Sequence, residues 1–472
     1  MSRKSWLIQL VFYVILLRLD EGLSFSVRSV NRRITAIASA IPSSDVCKIQ
    51  ILMSDTGGGH RASANALRDA LEVLYPGKIQ CDIVDIFTEY GPFWPFNDYP
   101  RMYKIMAEYS FLWDWFYHLG ATPLGLAFNE WVMDLFCFDS FVECLGRTSS
   151  PEGSPSRRAD MIVSVHPLCQ DIPLKALSYL DSDGKSKETN ARKTPFVTVV
   201  TDLGGAHPTW FNPNVDRCFV PSDALVQLAR NRNLDSSQIL KYGLPIRQGF
   251  WSSTPTSASQ ATSAQQKVAL RNSLRVATYL PTVLVVGGGD GMGGIVDIAK
   301  SLGETLGSAS SSPAYQMVVV CGNNRKAKEA LSDADFGPGV QVSIQGFVNN
   351  MDEWMRASDA LVTKAGPGTI AEASICGLPC MLFSFLPGQE EGNVPYVEES
   401  GFGAYSSDPR VIAETVRGWL ASPETMAKLQ NAAFTASRPS ATLDIAKDLA
   451  DMVFKTKPAL VSLSRGRDQR RA

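Results

Sequence analysis

Three glycine-rich turns, each set between an apolar run and a helix-like run, constrain this chain more than any other feature. They are Ser54-Asp55-Thr56-Gly57-Gly58-Gly59-His60, Gly287-to-Gly294 and Lys364-Ala365-Gly366-Pro367-Gly368-Thr369. Such a turn joins the end of a parallel strand to the start of a helix, and its bare glycines let backbone N–H groups approach a ligand. The flanking runs agree. Lys48-to-Met53 reads as a buried strand, and Arg61-to-Tyr75 as a helix with Leu67, Ala70, Leu71 and Leu74 on one face. Strand-like runs continue at Met161-to-Val165, Phe196-to-Val200, Thr282-to-Val286, Gln316-to-Cys321, Val340-to-Gln345, Ala360-to-Lys364 and Cys380-to-Phe383. The expectation is an α/β protein of two Rossmann-like domains facing each other across a cleft.

The 472 residues leave room for two such domains and a leader. The first domain is expected over 46–250 and the second over 268–436. Residues 252–266 (SSTPTSASQATSAQQ) lack bulk and charge and read as a linker at the junction. The helical end, 437–455, is a candidate to return to the first domain, and 456–472 is a basic tail. Apolar residues make up 45% and charged residues 19%, with a net charge of −2. That balance excludes a disordered or fibrous chain and argues against nucleic acid as a partner. The nine cysteines do not form paired zinc-ligand spacings and read as reduced, mostly buried thiols.

Residues 1–45 read as an address. Lys4 precedes an apolar run, Trp6 to Leu17, too short to span a bilayer comfortably, and Phe25 to Ser44 holds three arginines and no acid. This resembles the two-stage plastid leaders of algae with secondary plastids; a simple secretory signal is the alternative. No other apolar run approaches about 20 residues, so no spanning helix is expected in the mature chain. The stretch 87–141 breaks the α/β rhythm with four of the nine tryptophans and many Phe and Tyr. It reads either as a helical subdomain packed on the sheet or as a surface that dips into lipid.

Each turn suggests chemistry. His60 stands at a loop-to-helix corner, where an imidazole could take a proton from a hydroxyl; capping the helix is the bland alternative. Gly288, Gly289 and Asp290 lie in a second anion-friendly turn, and the missing acid about 20 residues on argues against a nicotinamide cofactor. Gly366, Pro367, Gly368 and Thr369 open a helix whose N–H groups suit a diphosphate, with Glu372 expected in its first turn and placed for ribose hydroxyls. Gln389, Glu390 and Asn393 form a polar cluster suited to sugar hydroxyls. Asp202, His207 and Trp210 follow a strand and suggest an acceptor site, although Trp210 reads equally as core. His166 ends another strand. Asp181-Ser182-Asp183 is a D-x-D in a polar loop and is not read as a metal site.

The motifs SDTGGGHRASANAL, VTDL…HPTWF, YGLPIR, VVGGGDGMG, TKAGPGTIAEA…GLP and GQEEGNVPYV, in this order, resemble the monogalactosyldiacylglycerol synthases over roughly residues 48–455. The resemblance implies a GT-B glycosyltransferase that moves galactose from UDP-galactose to diacylglycerol with inversion and without a metal or other cofactor. It implies His60 as base, with Asp202 as the second choice or as the histidine's partner. Gly346 and Phe347 join the donor-binding residues already given, and Gly58, Gly59, His207 and Trp210 fall on the acceptor side. It further implies a plastid membrane surface, phosphatidic acid or phosphatidylglycerol as an activating anionic lipid, and a homodimer as one option for assembly. Gly204-Gly205-Ala206 and the 252–266 segment depart from the family pattern. A transferase using UDP-glucose or UDP-N-acetylglucosamine on another lipid is the competing enzyme reading, and a membrane-bound nucleotide-binding scaffold the non-enzymatic one.

Overall fold

The computed structural model describes residues 46–56, 58–108, 110–147, 157–251, 264–287 and 294–456. The expected leader, most of the 252–266 linker and the basic tail lie outside them. Two six-stranded sheets, each wholly parallel, carry the fold. The first has the order β2-β1-β3-β4-β5-β6, from β1 (Cys47–Met53), β2 (Ile79–Asp85), β3 (Met161–Ser164), β4 (Phe196–Val199), β5 (Arg217–Val220) and β6 (Ile239–Lys241). The second has the order β12-β11-β10-β7-β8-β9, from β7 (Thr282–Val286), β8 (Tyr315–Val320), β9 (Val340–Gln345), β10 (Ala360–Thr363), β11 (Cys380–Leu382) and β12 (Gly403–Tyr405).

Continuous apolar runs make the central strands, because both faces of a parallel sheet are covered by helices. Every residue of β1, β7 and β10 is buried. Polar Gln50 is tolerated inside β1 because its Nε2 donates to the Cys144 carbonyl at 3.3 Å. In each sheet the chain first moves one way and then returns to the opposite side of its starting strand. The reversal falls between β1 and β3 in the first sheet and between β7 and β10 in the second. Crevices at the strands' carboxyl ends open at such points, so topology alone places the turns after β1, β3, β7 and β10 at two ligand-sized gaps.

Helix α1 (Gly59–Leu74) starts from Gly58, whose φ of +76° would strain any side chain. After short helical turns at Ile86–Tyr90 and Phe96–Asp98, the aromatic stretch forms the longer helices α2 (Tyr99–Glu108), α3 (Ser110–Ala121) and α4 (Pro123–Gly146). Thr122 caps α4 by accepting from the Gly125 N–H at 3.1 Å, and Pro123 takes the first helical position. Met133, Cys137, Phe138, Phe141, Cys144 and Leu145 of α4 join the core on one face of the first sheet, with Phe87 and Trp210. A different stripe of α4, at Leu124, Phe128, Trp131 and Leu135, is 58–84% exposed. Both readings of this stretch are therefore present in one element: an inner face that packs and an outer apolar face.

After β10, α5 (Pro367–Ile375) opens the second crevice. The last helix, α6 (Ala441–Lys455), leaves the second sheet and packs Ile445, Ala446, Leu449, Ala450 and Val453 against Ile49, Ile51, Leu67 and Leu71 of the first. All nine cysteines are free thiols, seven of them buried.

Candidate active site

The turn after β1 and the end of β3 bring two histidines together. His60 Nδ1 lies 2.8 Å from the Val165 carbonyl, which can only accept, so Nδ1 carries the proton and Nε2 the lone pair. Thr201 Oγ1, 2.9 Å from the same nitrogen, takes a share of that hydrogen. Burial pushes the His60 pKa down to about 4, against smaller upward effects of the Val165 carbonyl and Asp55. The ring is thus neutral near pH 7 with a basic nitrogen available. His166 stands edge-on to it, with centroids 4.6 Å apart. The Leu168 N–H donates to His166 Nδ1 at 3.2 Å, so His166 holds its proton on Nε2 and donates it to Thr56 Oγ1 at 3.0 Å. Burial and the neighbouring His60 keep His166 well below the usual imidazole range.

Asp202 is not the partner of His60. Its Oδ2 accepts from Trp210 Nε1 at 2.6 Å, and both residues are buried. Trp210 has no exposed surface, so it is core and cannot serve as a platform for an acceptor; its aromatic bulk packs inward while its N–H finds the one carboxylate in reach. Burial raises the Asp202 pKa to about 7, the Trp210 hydrogen bond opposing and Glu390 reinforcing the shift. An acid whose folded pKa is raised loses stability as pH climbs from its unfolded value, about 4, through the folded one. Asp202→Asn keeps an acceptor for Trp210 and never ionises. It is expected to gain on the wild type by up to about 4 kcal/mol between pH 4 and 8. Melting temperatures at pH 5 and pH 8 read this directly; an equal difference at both would contradict it.

His207 caps the short turn before Trp210, its Nδ1 2.8 Å from Thr209 Oγ1, and its ring meets Tyr117 edge-on at 4.9 Å. Burial lowers its pKa to about 4. On the first-sheet side Gly58 and Gly59 leave open space where β-carbons would sit, which keeps the start of α1 clear.

In the second sheet, Gly288, Gly289 and Asp290 lie outside the described residues. Gly366 caps α5, Pro367 occupies its first position, and Gly368 leaves open space where a β-carbon would sit, so the helix start around Thr369 is uncrowded. Glu372 is not in the first turn of α5, as the sequence suggests; it lies in the second. There it is buried and forms a two-pronged pair with Arg247, at 2.7 Å and 2.5 Å. Burial raises the Glu372 pKa and the Arg247 guanidinium opposes that rise. Arg247 belongs to the YGLPIR motif, the one sequence signal that could have found it. Gly346 sits beside Lys328, and Phe347 is 61% exposed, an uncovered flat ring at the end of β9.

The loop after β11 is tied down rather than splayed toward solvent. Glu390 Oε1 accepts from Lys364 Nζ at 2.7 Å and its Oε2 from the Leu386 N–H at 2.9 Å. Gln389 Oε1 accepts from the Tyr103 hydroxyl at 3.0 Å. Asn393 is a bridge between the halves: its Nδ2 donates to the Ala365 carbonyl and its Oδ1 accepts from the Gly204 N–H, each at 2.8 Å. This contact requires glycine at position 204. A β-carbon there would collide with the Gly392 carbonyl, so the two backbones meet only because both residues are glycine. Asp181 of the D-x-D is spent on structure, accepting from the Lys193 and Thr194 N–H groups and from Arg158.

The arrangement is a neutral histidine with its lone pair on Nε2 at one switch point and an uncrowded helix start at the other, with the halves joined through Asn393. Residues 60–246 match the family model for monogalactosyldiacylglycerol (MGDG) synthase, and residues 282–443 that for the glycosyltransferase family 28 C-terminal domain. The chain is 39% identical over 406 residues to monogalactosyldiacylglycerol synthase 3, chloroplastic, of Arabidopsis thaliana, covering 85% of this chain and 80% of that one. To the chloroplastic monogalactosyldiacylglycerol synthase of Spinacia oleracea it is 38% identical over 437 residues, 92% of this chain and 78% of that one. Among solved structures, MurG of Acinetobacter baumannii superposes with a TM-score of 0.50 at 14% identity, over 86% of this chain and 99% of that one. Sequence similarity at this level and coverage, on the two-sheet GT-B fold, makes the chain a member of the monogalactosyldiacylglycerol synthase family.

Proposed function

We infer that the protein transfers galactose from UDP-galactose to the free hydroxyl of diacylglycerol, in galactolipid synthesis within a plastid. The observation that carries the mechanism is His60, neutral and tautomerically pinned by Val165, at the crevice of the first sheet. Its Nε2 accepts the proton of the acceptor hydroxyl, and that oxygen attacks the anomeric carbon of galactose from the face opposite the diphosphate. The C–O bond to UDP breaks, the configuration inverts to β, and the diphosphate leaves toward the N–H groups of Gly366–Thr369 at the start of α5. The diphosphate's negative charge draws the His60 pKa upward in the complex, which makes the nitrogen a better base during the reaction. Phe347 offers a flat apolar face to the uracil ring, and Glu372, held by Arg247, a carboxyl group for the ribose. Charge on the leaving group is met by helix ends and backbone donors, so the proposed chemistry uses no metal.

The acceptor lives in a bilayer, and the outer stripe of α4 with Trp115, Phe116 and Leu119 of α3 is the surface offered to it. Among the described residues no helix is long and apolar enough to cross a membrane, so contact from one side is the mode proposed. An anionic lipid, phosphatidic acid or phosphatidylglycerol, is proposed as activator.

Transfer of radiolabel to diacylglycerol from UDP-galactose, compared with UDP-glucose and UDP-N-acetylglucosamine, tests the reading. Galactose is expected to be preferred, with rates unchanged by chelator and raised by anionic lipid. Preference for another sugar would remove the galactose assignment, and loss of activity with chelator the metal-free step.

A further inference from the structure

Helices α2 and α3 also rest on the loop after β11, through side chains beside the exposed apolar ones. Tyr103 of α2 donates its hydroxyl to Gln389 Oε1 at 3.0 Å. Trp113 of α3, 6% exposed, donates Nε1–H to the Pro387 carbonyl at 3.1 Å. Tyr117, one turn further, lies so close to Gly388 that a β-carbon there would strike its ring; Gly388 has φ of +72°. Tyr103 and Trp113 pack edge to face at 4.9 Å, and the rings of Trp113 and Tyr117 lie tilted to each other at 6.2 Å. Three consecutive residues of the loop are thus each held by one aromatic residue of the other half. The next helical positions on α3, Trp115, Phe116 and Leu119, are 45–47% exposed.

We propose that Tyr103, Trp113 and Tyr117 are positioning residues for the donor sugar, holding the 387–393 loop in its sugar-meeting shape from helices whose outer face contacts the lipid surface. This rests on the reading of that loop as part of the donor site. The Tyr103 hydrogen bond consumes Gln389 Oε1 and so presents the amide Nε2 as the remaining donor toward a sugar hydroxyl. Docking of α3 on a membrane stiffens the helix that carries Trp113 and Tyr117, so lipid contact and donor binding favour each other. By linkage, whatever one gains from the other is reciprocal.

The test is donor binding to the full chain by calorimetry, with UDP-galactose and UDP as probes, with and without phosphatidylcholine vesicles. Tyr103→Phe keeps its ring, Trp113→Phe keeps an aromatic side chain, and each deletes one hydrogen bond. Each is expected to weaken UDP-galactose by about fivefold while leaving UDP unchanged, because the loop meets the sugar and not the nucleotide. The KM for UDP-galactose should rise in step and that for diacylglycerol should not, a split that general loosening of the fold would not give. Vesicles should tighten UDP-galactose binding to the wild type, and Trp115→Ser with Phe116→Ser should abolish that gain. Equal binding of UDP-galactose by wild type and both Phe variants overturns the positioning role alone. Donor affinity indifferent to vesicles overturns the coupling. A wild type that binds UDP but gains nothing from galactose overturns the reading of the loop itself.

Discussion

Replacing His60 by alanine is expected to lower turnover by about 10²- to 10⁴-fold while UDP binding stays near the wild-type value. The nitrogen that does the work is Nε2, because the Val165 carbonyl, 2.8 Å from Nδ1, holds the proton on Nδ1 and leaves the lone pair on Nε2. Alanine also strands that carbonyl and opens a buried gap, which lowers stability as well as rate. His60→Gln separates the two effects. A glutamine amide can still donate to Val165 but has no basic nitrogen, so it should fold better than the alanine variant and be equally inactive. Radiolabel turnover and UDP titration on both variants check this. A glutamine variant that keeps wild-type turnover would remove His60 from the chemistry.

Adding one methyl group at Gly204 is expected to cost about 100-fold in kcat/KM, a large effect for a residue that touches no reacting atom. Gly204 and Gly392 bring the first and second halves into backbone contact, and the Gly204 N–H donates to Asn393 Oδ1 at 2.8 Å. A β-carbon at position 204 must displace the Gly392 backbone, and with it the 387–393 loop and the bridge from Asn393 to Ala365. The proposed base and the proposed donor site belong to different halves, and a shift of about 1 Å between reacting groups is enough for a loss of that size. Each half keeps its own core, so thermal melting should move little. Gly204→Ala with normal kcat/KM would show that the contact does not set the separation of the halves.

Much of the architecture was legible in the chain itself. The strand run Thr282–Val286 falls on an apolar stretch, because a parallel strand buried on both faces is apolar nearly throughout, whereas the edge strand Val340–Gln345 alternates apolar and polar residues. The turn before His60 and the Gly366–Thr369 turn were legible as helix starts, because glycine, and proline at a first helical position, are local requirements of backbone geometry. The candidate site was legible at its anchors and not in its partnerships. Trp210 offers an aromatic platform in sequence and is core in space. Asp202, adjacent to it in the motif, turns to the indole and not to His60. Glu372 comes with Arg247, 125 positions away. Tyr103, Trp113 and Tyr117 read as membrane or core aromatics, and nothing in their spacing announces the distant loop that they hold.

The sequence by itself determined the alternation of strand and helix, the two glycine-opened crevices and the family, since each depends on residues close together along the chain. Tertiary structure alone decided which nitrogen of His60 is basic, what Asp202 and Glu372 are bonded to, and how the halves meet at Gly204 and Gly392. The physical reason is range. Backbone conformation is set by sterics within a few residues, whereas a tautomer, a pKa and a buried ion pair are set by whatever the fold carries to within a few ångströms.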